Sequence, residues 1–232
     1  MFRALSRRAF LQAAAGGGAC GLLLPELTGC GARLTGTSDD IAPQERAAMA
    51  SLAEQFRNEH DAPGLSIAIA RNGLMKYEQA FGFTEHDGAE ALEISSLFRI
   101  ASISKPITSV AIFKLIEQGQ LRLDSKIFGE GAVLGTDYGS RPYGADLQRI
   151  TVDHLLTHTA GGWSNKRDDP MFSNVSMSQG ELISWVLDNR SLQYPPGSVY
   201  DYSNFGYCLL GRVIERVAGQ RYPEEMMKMV GR

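Results

Sequence analysis

At 232 residues, with 44% hydrophobic and 21% charged residues, the chain has the composition of one globular domain with a buried core, plus whatever its ends contribute. A formal net charge of -3 and the lack of any Lys/Arg run in the body exclude a nucleic-acid footprint and point to a small-molecule ligand. Four histidines without ligand-like clustering argue against a metal site, and no cofactor is expected. There is no repeat at solenoid periods and no low-complexity stretch beyond Ala13 to Ala19.

The first thirty residues read as an address. Ser6-Arg7-Arg8-Ala9-Phe10-Leu11 and the weakly apolar stretch that follows resemble a twin-arginine export signal. Its many small residues, interrupted by Pro25 and Glu26, fit a permanent membrane-spanning helix poorly. Leu27-Thr28-Gly29-Cys30 resembles a bacterial lipobox, which implies cleavage before Cys30 and a diacylglycerol on its thiol; the alternative is ordinary cleavage nearby with an idle cysteine. Cys20, preceded three places earlier by Gly17, fits worse. The expectation is a signal peptide over 1–29, a flexible tether over 30–43, and a catalytic domain over 44–232. The protein would then be an exported lipoprotein of the bacterial cell envelope, facing the periplasm and held to the membrane through Cys30. With Cys208 left in an apolar segment, no disulfide framework is expected.

In the body, Gln44 to Glu59 follows Pro43 and places Ala47, Ala48, Leu52 and Phe56 at helical spacing, which predicts an amphipathic helix. Leu65 to Ala70 alternates like a strand, Asn72-Gly73 supplies a two-residue turn, and Leu74 to Phe83 returns, so a β-hairpin follows. A helix is predicted from Ser102 to Gln118, with Ile107, Val110, Ala111 and Leu115 apolar and Gly119 as its stop. Gly129 to Gly144 reads as a surface excursion. Further helices are expected at Thr151 to Thr157, Ser178 to Asn189 and Asn204 to Ala218, with Pro223 opening a last one. Helix, hairpin, then a run of helices implies an α+β fold with a mostly antiparallel sheet on one side.

Ser102-Ile103-Ser104-Lys105 is the sole Ser-x-x-Lys of the chain. Residues three apart on a helix share a face, so the Lys105 amine can reach the Ser102 hydroxyl and activate it as a nucleophile. Tyr202-Ser203-Asn204 is likewise the sole Tyr-x-Asn. Beside a lysine, a phenol can pass a proton to a leaving group while the nearby amide orients lysine and substrate. The bland readings are an aromatic packed at a helix start for Tyr202 and a plain N-cap for Asn204.

The flanks add Phe98-Arg99-Ile100-Ala101 before Ser102, His154-Leu155-Leu156-Thr157-His158-Thr159-Ala160-Gly161, Tyr194-Pro195-Pro196-Gly197, and Phe205-Gly206-Tyr207. In this order they resemble the serine β-lactamase-related family of class C β-lactamases, D-Ala-D-Ala carboxypeptidases and esterases, from about Ala47 onward. The resemblance implies a β-lactamase/transpeptidase-like fold, an antiparallel sheet flanked by a helical subdomain. It implies acylation of Ser102, proton shuttling by Lys105 and Tyr202, a lining role for Asn204, and His154 and His158 as scaffold. Asp124 and Asp153 read as turn and helix-start residues.

The family's third element, Lys-Thr-Gly or His-x-Gly on a later strand, has no counterpart here. The expectation is therefore the front part of such a domain, with the C-terminal strands missing and the hairpin left with an unpaired edge. That strand lends one oxyanion-hole N–H in the family, and losing one donor costs ~10²–10³ in rate. The leading reading is a serine hydrolase acting on a β-lactam, a peptidoglycan-like D-Ala-D-Ala peptide or a small ester, among which the sequence does not choose. The alternative is an inactive fragment or a penicillin-binding-type protein without turnover.

Overall fold

The computed structural model describes residues 41–230 apart from Arg167. The expected signal peptide, Cys30 and residues 31–40 of the expected tether lie outside the described residues. Of that tether, Ile41 packs against the hairpin and Pro43 already starts the first helix.

Helix α1 (Pro43–Glu59) has its proline at the first turn, where the missing N–H leaves no intrahelical bond unmade. It leans on the hairpin formed by β1 (Gly64–Arg71) and β2 (Leu74–Gly82). The buried side is Ala53 with Met49 and Ala50, packed on Tyr77 and Phe81. Leu52, at 67% exposure, and Phe56 face away, contrary to the expected apolar face. Small residues let the helix lie close to the strands, so the close-approach face is the one buried. The strands pair antiparallel with Gly64 opposite Gly82 and a register shift between Ile69 and Ala70. Asn72 and Gly73 both take positive φ, 54° and 74°, as a tight two-residue hairpin turn requires. Among the described residues the sheet has these two strands.

The second body is helical. It comprises α2 (Ser104–Glu117), α3 (Val152–Leu156), α4 (Pro170–Ser173), α5 (Gln179–Asn189), α6 (Asn204–Ala218) and α7 (Tyr222–Val230). Helix α6 is its axis, packing against α2, α3, α4 and α7. Phe205, Leu209, Leu210, Val213 and Ile214 recur at helical spacing and are fully buried, together with Ile112, Ile127, Phe128, Leu155 and Ile183. Gly219, at φ 69°, ends α6 in the left-handed conformation that glycine adopts without a Cβ clash. Capping boxes start α3 at Thr151 and α5 at Ser178, each of a kind that stabilises by about 1 kcal/mol.

Two further expectations change. The 129–144 excursion is tied down: Leu134 is fully buried in the core, and the Asp188 carboxylate accepts from the Ser140 N–H and hydroxyl. On α2, Val110 is 65% exposed, whereas Ala111, Ile112 and Leu115 carry the buried side. Among the described residues no helix is long and apolar enough to cross a membrane.

Candidate active site

Ser102 lies just before α2 rather than within it, in a 3-10 turn over Ala101–Ile103. Ala101 takes φ +43°, a left-handed conformation that costs a non-glycine residue about 1–3 kcal/mol and tends to persist only where its surroundings enforce it. The Ser102 side chain is exposed. Lys105, in the first turn of α2, donates from Nζ to Ser102 Oγ at 3.0 Å.

Tyr202 arrives through two loops laced together by backbone bonds. Gln193 and Tyr194 N–H groups donate to Gly161 O at 2.8 and 2.9 Å, Gly197 N–H to Thr159 O at 2.8 Å, and Asp201 N–H to His158 O at 2.8 Å. Gly161 permits this approach, because a Cβ built there would sit 2.1 Å from Tyr194 O. Ser203, not Asn204, is the N-cap of α6: its hydroxyl accepts from Gly206 N–H at 3.0 Å and donates to Trp163 O at 2.7 Å. The Asn204 side chain is thereby left for other partners. His158 Nδ1 accepts from Ser203 N–H at 3.2 Å, which assigns the ring proton to Nε2, and the ring stacks 4.4 Å from Tyr202 and 5.1 Å from Tyr207. Burial, then the Lys105 charge, lowers the His158 pKa, so the ring is neutral scaffold near pH 7.

All four expected residues meet. Tyr202 OH donates to Ser102 Oγ at 2.9 Å, and Lys105 Nζ donates to Asn204 Oδ1 at 2.6 Å. Lys105 Nζ also lies 4.8 Å from the Tyr202 ring centroid. Burial alone would raise the Tyr202 phenol, but the Lys105 ammonium and the Ser102 hydroxyl outweigh it and the net shift is downward. Of the two groups that bracket the serine hydroxyl, the Lys105 cation can only donate, so the phenol, biased toward its base form, is the one arranged to take the Ser102 proton. A cavity of about 360 Å³ opens from Ser102, Lys105 and Asn204 toward Met171, Phe172 and Tyr207.

Two site residues were not read from the sequence. Asn165 Oδ1 accepts from Asn204 N–H at 2.8 Å, and Asp169 Oδ2 accepts from Asn204 Nδ2 at 2.7 Å. Asp169-Pro170 carries a helix-start signature, which would have marked an N-cap but not a contact 35 residues onward. His154 closes the α3 capping box, Asp124 pairs with Arg122, and Asp153 lies in the first turn of α3. Burial pushes the Cys208 thiol up to about 11, which makes it a poor nucleophile. Among the described residues no His/Cys/Asp/Glu group could hold a metal ion.

The Beta-lactamase family model matches residues 49–232. The chain belongs to the Beta-lactamase family. Esterase EstB of Burkholderia gladioli is 30% identical over 187 residues, covering 75% of this chain and 46% of that protein. A penicillin-binding protein of Bacillus subtilis (strain 168) is 30% identical over 185 residues, covering 78% and 38%. The solved octameric penicillin-binding protein homologue from Pyrococcus abyssi superposes with a TM-score of 0.63 at 28% identity, covering 78% of this chain and 41% of that one. The β-lactamase/transpeptidase-like fold expected from the motifs is thus the fold of its structural neighbours. This Beta-lactamase family chain spans less than half the length of these relatives.

Proposed function

We propose that this chain carries the acylation site of a serine hydrolase that cleaves an ester or amide through an acyl-enzyme on Ser102. The observation that carries the reading is the convergence of Lys105 Nζ, three residues along the chain, and Tyr202 OH, 100 residues along it, on the one oxygen Ser102 Oγ. Ser102 Oγ attacks the substrate carbonyl as its proton passes to the Lys105–Tyr202 pair, in which the Lys105 cation holds the phenol toward its base form. The pair returns the proton to the leaving oxygen or nitrogen, and water then releases the acyl group. General acid–base transfer of this kind contributes ~10²–10⁴ in rate. The substrate classes in view are β-lactams, D-Ala-D-Ala peptides and small esters, in keeping with relatives named an esterase and a penicillin-binding protein.

The test is labelling of the purified protein with a fluorescent penicillin and, separately, a fluorophosphonate, against Ser102→Ala. Label lost in the variant supports the acyl-serine site. Penicillin label that stays on without release identifies a binding protein without turnover, and no label from either probe on folded protein overturns the reading.

We further propose export and lipid anchoring at Cys30, for which the twin-arginine-like and lipobox-like segments are the support. An alkyne fatty acid fed to expressing bacteria should mark the protein and should fail to mark Cys30→Ala; equal marking of both would reject the anchor.

A further inference from the structure

The Asn204 amide has one acceptor and two donors, so its orientation decides what Lys105 meets. With Oδ1 toward Lys105, the ammonium finds an acceptor at 2.6 Å. Turned by 180°, the amide would set its own N–H groups against those of the ammonium. The hydrogen-bond network decides between the two orientations. On the far side of the amide stands Asp169, and an ionised carboxylate is acceptor-only, so it can take an amide N–H but give nothing to an amide oxygen. Its Oδ2 accepts from Asn204 Nδ2 at 2.7 Å.

The carboxylate is itself held. Its Oδ1 accepts from Met171 N–H at 2.9 Å, as the N-cap of α4, where Pro170 occupies the first helical position. Asp169 therefore serves two donors with two oxygens: one starts a short helix and the other fixes the amide. An asparagine at this position would have to present an N–H to one of them.

We propose that Asp169 is a positioning residue that acts through Asn204 on Lys105: it selects the amide orientation that places an acceptor against the Lys105 ammonium and so aims Nζ at Ser102. The inference rests on the reading of Ser102 as the acylated residue. Misplacing a catalytic group by about 1 Å can cost ~10²-fold.

The test is the second-order rate of fluorophosphonate labelling in a double-mutant cycle. Asp169→Ser keeps a capping oxygen for Met171 N–H but is too short to serve Asn204, so it separates the two duties of the carboxylate. Expected is a rate about 10- to 100-fold below wild type at an unchanged thermal midpoint, in line with the positioning effect. In an Asn204→Ala background, where there is no amide to orient, the same substitution should change the rate by less than about 2-fold. Asp169→Ser labelling at the wild-type rate, or an equal loss with and without the Asn204 amide, overturns the proposal. Wild-type protein that takes no label, while Asp169→Ser and wild type share one thermal midpoint, overturns the acyl-serine reading and this inference with it.

Discussion

Tyr202 OH sits 2.9 Å from Ser102 Oγ across 100 residues of sequence, as close to it as Lys105, which is three residues away. The Ser102 hydroxyl thus meets one local partner and one delivered by the fold, and the two differ in what disturbs them.

Removing the delivered partner should leave the fold intact. Tyr202→Phe keeps the ring against His158 and takes away only the hydroxyl. Fluorophosphonate labelling is expected to slow by ~10²–10⁴, the range of a general acid–base contribution, with the thermal midpoint unchanged. A variant that labels as fast as wild type would mean that the phenol is not the base.

The delivery route should be sensitive to Gly161. At φ +95°, with the site of a Cβ 2.1 Å from Tyr194 O, Gly161→Ala must push the two laced loops apart. A loss of roughly 1–3 kcal/mol is expected from backbone strain, together with slower labelling because Tyr202 moves with the loop. Denaturant melts and labelling on the same samples measure both; an unperturbed melt would mean that the loops are not held as described.

His154 and His158 make stability fall on acidification. In both, burial is the largest cause of a folded-state pKa below the ordinary 6.5. Above that value both states are neutral and the full stability is present. As pH drops through it, the unfolded chain takes up protons that the folded chain refuses, so the unfolded state gains. The urea midpoint should therefore decrease from pH 7.5 to 5.5, and less steeply in His158→Asn. A midpoint that rises over this interval would reverse the assignment.

The buried and exposed sides of the helices predict a sharp contrast. Leu209→Ala, in the fully buried face of α6, is expected to cost 2–5 kcal/mol, whereas Val110→Ala at 65% exposure should stay within about 0.5 kcal/mol. Denaturant unfolding of the two variants decides it, and comparable losses would mean that Val110 is covered in solution.

The sequence by itself determined what is local. Asn72-Gly73 requires a turn whatever surrounds it, Asn204 to Ala218 declares its helix through period and terminal glycine, and three-residue spacing alone puts Lys105 beside Ser102. Matched flanking motifs then carried the family resemblance and, with it, Tyr202 and Asn204. Tertiary structure decided what depends on partners distant in sequence. It turned Leu52, Phe56 and Val110 outward, because a periodic pattern names apolar residues but not the surface they meet. It gave the α6 cap to Ser203 and so released Asn204, since capping follows from the chain's direction of approach. Asp169 is the clearest case: a residue before a proline reads as a helix start, and only the folded chain sets its second oxygen on an amide 35 residues onward.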